Sequence, residues 1–130
     1  MVRGLVAVAV GCLVMFISTA VVTVALGVLA PEWVSPLGLA PTSFAIVHVL
    51  YGLAFAALGG AVTASLAPSP RRRWVMTLAV IALLLSLGYS AVSLDTRRPA
   101  WYAWVVPLAT LFGIATGGML MIRRTEPDAT

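Results

Sequence analysis

The 130-residue chain contains no lysine, one histidine, one cysteine and four carboxylate side chains. Charged residues make up 9% of it, against roughly 25% in an average soluble domain. A water-soluble globule of this size needs a polar shell that these residues cannot supply. The shortage excludes a soluble domain and a disordered tail, and the lone Cys12 excludes a disulfide scaffold. Acids, bases and nucleophiles are so few that no nucleophile–base–orienter set can be assembled. An enzyme is therefore not expected, and no catalytic residue or cofactor is assigned. Metal binding is not expected either, because Cys12 falls near the opposite membrane face and leaves His48 without a companion ligand. Cys12 itself reads as a small packed apolar residue.

The absence of lysine leaves a net charge of +4 carried by eight arginines. They stand in small groups at the ends of apolar runs. That placement marks membrane topology and contacts with anionic lipid headgroups, not nucleic acid. The absence of lysine with the Arg, Ala, Val and Leu bias points to a GC-rich bacterial genome, and the expected location is the bacterial cytoplasmic (inner) membrane.

What the chain has in abundance is apolar sequence: 62% of residues are hydrophobic, and the mean hydropathy is +1.08. Uncharged runs cover residues 4–31, 33–70, 74–94 and 99–122, which are 28, 38, 21 and 24 residues long. A helix needs about 20 apolar residues to cross about 30 Å of hydrocarbon. Three runs fit one span each. The second is too long for one, and Pro31, Pro36 and Pro41 turn PEWVSPLGLAP into a connector, with Pro41 suited to a first helical turn. The expected spans are 5–30, 42–67, 74–94 and 101–122, making residues 1–130 one transmembrane domain. The first run far exceeds the 7–15 residues of a signal-peptide core, so it is read as a retained helix.

Six arginines (Arg3, Arg71, Arg72, Arg73, Arg123, Arg124) fall on one side of this layout, and two (Arg97, Arg98) on the other, offset by Glu32 and Asp95. The positive-inside rule then places both termini and the RRR loop in the cytoplasm. Trp33 and the group Trp101, Tyr102, Trp104 fall at the outer interface and Trp74 at the inner one, where amphipathic rings prefer to sit. The fold class is all-α: an integral membrane four-helix up-down bundle, its short connectors implying antiparallel neighbours. Each half crosses outward and returns through a helix with a Gly-Gly pair (Gly59-Gly60, Gly117-Gly118), a pattern that composition alone can produce.

Lipid tails are as apolar as leucine, so close backbone contact and interhelical hydrogen bonds must hold such a bundle together. Gly52, Ala56, Gly60 and Ala64 recur at four-residue spacing on the second span, as do Ala109, Gly113 and Gly117 on the fourth, while the third offers Ala82, Ser86 and Ser90. These smooth ridges are expected packing faces, within the chain or as a homo-oligomer seam.

Ionisable residues inside a membrane usually mark transport or proton relay. No Asp, Glu, Lys or Arg lies within the four expected spans. His48 is the one group there that changes charge near neutral pH. It stands seven residues past Pro41, hence roughly 10 Å into its helix. It also continues the small-residue stripe four residues before Gly52, with Tyr51 on nearly the same face. On the third span Ser86, Tyr89, Ser90 and Ser93 fall within an arc of about 100°. Tyr89 precedes Asp95 by six residues, placing it roughly 9 Å from the helix end. His48, Tyr51 and this face are expected to meet in the outer half of the bundle, with Ser18, Thr19 and Thr23 of the first span nearby. The cluster reads as a hydrogen-bonded core, as a pocket for a lipid, quinone or other amphiphile, or as an ion path. One histidine without a carboxylate makes a thin relay.

Small multidrug exporters share the four-helix plan, but their membrane-embedded glutamate has no counterpart between Leu5 and Ala30. Quinone-reducing membrane disulfide enzymes need a Cys-x-x-Cys pair, which is absent. Through ALGGAVTASLAPSPRRR closing the second span and RRPAWYAWVVPL opening the fourth, most of the chain resembles uncharacterised small four-helix bacterial membrane proteins. That resemblance implies no activity. Small-residue ridges combined with so little chemistry favour a non-catalytic helper or subunit acting through helix–helix contacts. Its partners would be the bilayer, a second copy of the chain or another membrane protein. The rival expectation is a small carrier, pore or amphiphile-binding bundle that uses the cluster around His48.

Overall fold

The computed structural model describes residues 1–34, 42–92 and 99–125. Within them the chain forms α1 (Val2–Leu29), a single turn α2 (Pro31–Val34), α3 (Thr42–Leu66), α4 (Arg71–Val92) and α5 (Tyr102–Thr125). The four long helices are each long and apolar enough to cross a membrane. Helices satisfy their own backbone polar groups, which hydrocarbon demands of any open segment that crosses it.

The punctuation is proline. α1 ends at Leu29 with Ala30 turned out of the helical conformation (φ −138°, ψ 69°), its N–H still bonded to the Leu26 carbonyl at 2.8 Å, directly before Pro31. α3 stops ahead of Pro68, and α4 starts after Pro70. The expected spans 74–94 and 101–122 follow the charges, but the helices do not. α4 begins three residues earlier, at Arg71, and α5 runs three residues further, to Thr125. Arginine is a good helix former, so charge delimits the apolar stretch and not the helix. Arg123 and Arg124 also sit well in a last turn, where the helix dipole favours cations. The roles expected of Pro36 and Pro41 lie outside the described residues, as do Asp95, Arg97 and Arg98.

Chain directions alternate up and down, yet the order of packing is not sequential. α1 lies antiparallel to α3: Thr63 donates to the Ala7 carbonyl at 3.3 Å, and the backbones of Gly11 and Gly59 touch. α4 and α5 are likewise antiparallel, with Gly118 against Val75 and Arg71 Nη1 donating to Thr125 Oγ1. The broadest interface, however, joins α3 to α5, which run parallel, while α3 and α4 touch only lightly. The expectation that each helix packs antiparallel on its successor therefore fails between α3 and α4. The cause lies in the glycines. A Cβ on Gly60 would overlap the backbone of Ile114, and one on Gly117 would overlap the backbone of Ala57. A Cβ on Gly113 would stand 2.6 Å from the Leu53 carbonyl oxygen. Small residues at the contact are what let two helices approach so closely.

The buried cluster gathers Val8 and Met15 of α1, Ala56 and Ala64 of α3, Val75, Leu78, Ala79 and Ala82 of α4, and Ile114 of α5. Most of these lie in the half of the bundle nearer the arginines. There Trp74 lies against Gly4, joining α1 to α4, and its ring centroid is 6.0 Å from the Arg73 guanidinium carbon. Arg3, Arg72, Arg73, Arg123 and Arg124 are exposed at this end, and Arg71 is half-buried.

Candidate functional site

Toward the other end the helices separate and enclose a cavity of about 1040 Å³. Its floor is Met15 of α1 and Ala82 of α4, both buried. Above the floor α1 contributes Phe16, Thr19, Thr23 and Val24, and α4 contributes Leu85, Ser86 and Tyr89. The back wall is α3 with His48, Val49, Gly52 and Leu53, continued on α5 by Tyr102, Val106 and Ala109. On α1, Phe16 and Val24 are 46% and 66% exposed; on α4, Leu85 and Tyr89 are 51% and 60% exposed. The α3 lining is no more than half-exposed. Exposed lining residues therefore stand on α1, on α4 and at the start of α5, where Ala100 and Ala103 are exposed too.

Most hydroxyls in these helices bond back to the carbonyl one turn earlier, as Ser and Thr do where water is scarce. Thr19 donates to Met15 and Thr110 to Val106, at 2.8 and 2.9 Å. Thr63, which bonds to α1 near the arginine end, is an exception, and a chain of side-chain hydrogen bonds beside the cavity also crosses between helices. Thr23 Oγ1 of α1 lies 2.7 Å from Tyr51 Oη of α3, which lies 2.9 Å from His48 Nδ1. Thr23 also donates to the Thr19 carbonyl at 2.8 Å. With its single proton committed there, Thr23 can only accept from Tyr51. Tyr51 in turn accepts from His48, so every member is satisfied when the proton sits on Nδ1.

Aromatic rings fix the imidazole further. Phe44 and Tyr102 meet it edge-on, with centroids at 6.0 and 5.7 Å and interplanar angles of 73° and 75°. Such T-shaped contacts suit the ring quadrupoles. Two turns of helix bring Phe44, His48 and Tyr51 into line, since they are spaced by four and three residues.

Of the residues expected from sequence, His48 and Tyr51 are hydrogen-bonded, and His48, Ser86 and Tyr89 line one cavity. Tyr51 stands behind the wall. Ser90 lies on α4, but its side chain, like the whole of Ser93, lies outside the described residues. The packing stripes divide. Ala56, Gly60, Ala64, Gly113 and Gly117 are buried, whereas Gly52 and Ala109 line the cavity. A Cβ on Gly52 would have nothing within 4 Å. Gly52 is therefore a wall residue and not a packing residue: the helices have already parted at its level.

Tyr102 needs correction in the other direction. Expected in the outer aromatic belt, it is only 7% exposed and packs on His48, while its neighbour Trp104 is 71% exposed. The signal was present, since Tyr102 precedes Ala109 by seven residues and so continues the small-residue stripe of α5. α5 also carries a buried Pro107, which offers no N–H to the carbonyl of Ala103, another lining residue. Among the described residues, no three His, Cys, Asp or Glu side chains come together in a group that could hold a metal ion. No protein-family model, curated protein or solved structure matches the chain.

Proposed function

We propose that the chain is a multi-pass protein of the bacterial inner membrane that holds an amphiphile in the cavity beside His48. Both termini and the RRR loop would face the cytoplasm, so the cavity belongs to the outer half of the bilayer. The observation that carries this reading is the shape and lining of the cavity. It stands at the upper end of the roughly 300–1,000 Å³ common for small-molecule sites, with mostly apolar walls and a few convergent polar groups. Exposed apolar lining on α1 and α4, Phe16, Val24 and Leu85 among it, would stand where lipid chains are.

The helper reading drew on the small-residue ridges. Gly60, Gly113 and Gly117 are engaged inside the bundle, against Ile114, Leu53 and Ala57. They are not left over for a partner, and this shifts the weight to the cavity.

Native mass spectrometry of protein released in mild detergent tests the proposal. A retained small molecule is expected in wild type and should be absent from Gly52→Leu, whose new side chain would project into the cavity. Equal adducts in both proteins, or none in either, would count against it. Topology has its own check. In a Cys12→Ser background, a single cysteine at Ser69 should react with impermeant maleimide only from the cytoplasmic side, and one at Ala100 only from the outside.

A further inference from the structure

The cavity ends where the helices are half-way along. Met15, Ala56, Ala82 and Gly113 each stand within two residues of the midpoint of their helices. Close packing shuts the space at this level. A Cβ on Gly59 would stand 3.1 Å from the Met15 Cβ, and one on Gly113 would stand 2.8 Å from the Ala56 Cβ. Above this floor the α1 lining continues from Met15 to Val24, which is about 13 Å of helix. A hydrocarbon core about 30 Å thick gives each leaflet about 15 Å. The cavity is therefore about one leaflet deep, with its closed end at the level of the bilayer midplane.

We infer that the cavity takes an acyl chain of a lipid from that leaflet, standing along the helices with its methyl end on the floor of Met15 and Ala82. The chain assignment rests on the amphiphile reading above and is independent of the head that lies beyond the rim.

The deeper walls suit methylene groups better than water. A buried water makes about three hydrogen bonds to polar groups, and the side chains at the floor are a thioether and a methyl group. One turn higher, Phe16, Leu53, Leu85 and Ala109 are apolar, and Ser86 adds a hydroxyl. The protons of Thr19 and Thr110 are committed to the Met15 and Val106 carbonyls at 2.8 and 2.9 Å. Apolar walls with nothing against them forfeit dispersion contacts, which a chain restores without burying a polar group. Lipid tails are as apolar as leucine, so no chain is driven in by its aversion to water. Residence depends on shape instead: a depth that matches the chain, and an end stopped by the contact between the Gly11 and Gly59 backbones.

Photocrosslinking of the full-length protein in nanodiscs tests this. Two probes are phosphatidylglycerols with a diazirine in one acyl chain, near its methyl end or near its carboxyl end; the matching free fatty acids are two more. Met15 is 4% and Ala82 1% exposed, whereas Leu13 and Ile17, at similar depth on α1, are each 58% exposed. Lipid around the bundle reaches Leu13 and Ile17 from outside but reaches Met15 only through the cavity. Peptide mass spectrometry should find the methyl-end label on Met15 and Ala82 and the carboxyl-end label on rim residues such as Thr23. Gly52→Leu should abolish labelling of both floor residues and leave that of Leu13 and Ile17 unchanged, which also reports an intact bundle. The wild-type label positions decide the matter without the variant. A methyl-end label on Leu13 and Ile17 but on neither floor residue would overturn the inference. The amphiphile reading would still stand if native mass spectrometry showed a ligand that Gly52→Leu loses. A carboxyl-end label on the floor, or floor labelling that Gly52→Leu does not change, would also overturn the inference. Floor labelling by phosphatidylglycerol identifies a membrane phospholipid as the source, and labelling by the fatty acid alone a single-chain lipid. Both carry the chain inferred, so both support it.

Discussion

The two ends of this bundle use glycine for opposite purposes. In the arginine-end half, Gly4, Gly11, Gly59, Gly60, Gly117 and Gly118 each hold a neighbouring helix where a Cβ would otherwise stand, and Gly113 does so near mid-bundle. In the far half, Gly52 and Gly88 have nothing within 4 Å of that position. Burial follows the same division. Leu78, Ile114 and Thr63 are the largest fully enclosed side chains and belong to the close-packed part, whereas the far half encloses mainly Phe44, Ala45 and Tyr102. A hollow end can persist because the helices are continuous rods, clamped where their backbones touch. Stability is concentrated in one region, and a region with few buried contacts is left free to bind.

The widest test of this division sets two substitutions on the same face of α3 against each other. Gly60→Leu places a side chain against the Ile114 backbone, which cannot rotate away. Over-packing costs about 1–3 kcal/mol where side chains can adjust, and here the obstacle is main chain. Loss of a monodisperse folded protein is expected. Gly52→Leu, eight residues earlier, should melt within a few degrees of wild type. Thermal scans by circular dichroism in detergent decide it, and similar melting of the two variants would remove the distinction.

A milder version uses truncation. Ile114 is fully buried, and Ile114→Ala opens a void in close-packed surroundings. The usual cost of about 2–5 kcal/mol includes a water-transfer component that lipid does not supply, so about 2 kcal/mol is expected. Val106→Ala, on the cavity wall, merely enlarges existing space and should cost less than about 0.5 kcal/mol. Reversible unfolding in mixed micelles gives both numbers, and a Val106→Ala cost matching Ile114→Ala would show the far half to be packed after all.

This division was only partly legible in the sequence. Charge spacing located four long helices because apolar length is a one-dimensional property. The four-residue recurrence of small side chains found the α3 and α5 ridges for the same reason. Where each ridge stops being an interface was not legible. Gly52 and Gly60 are identical in type and spacing, and only the divergence of the helices separates a wall residue from a packing residue. The meeting of His48 with Tyr51 was readable from a single turn of helix. Thr23 was a weaker inference, because its contact depends on the register of α1 against α3. Tyr102 was misplaced because its neighbours Trp101 and Trp104 made it look like one of a belt, although its stripe position pointed inward.

The smallest effects come from removing a single hydroxyl in each half, and they sharpen the comparison most. Tyr51→Phe breaks contacts to Thr23 and His48. Interhelical hydrogen bonds in membranes average about 0.6 kcal/mol, so about 1 kcal/mol is expected. Faster amide exchange should accompany it across residues 16–29 of α1, the segment that Thr23 ties to α3 through Tyr51. Thr63→Val removes a bond too, but a long one at 3.3 Å, to an Ala7 carbonyl that α1 already supplies with its own helical donor. Valine keeps the shape that fills the space beside Gly11, and the surrounding backbone contacts hold the helices in place regardless. A cost below about 0.5 kcal/mol, with no change in exchange, is therefore expected. If Thr63→Val proved costlier than Tyr51→Phe, hydrogen bonding and not backbone proximity would be holding the close-packed half, and the division drawn from the glycines would have to be redrawn.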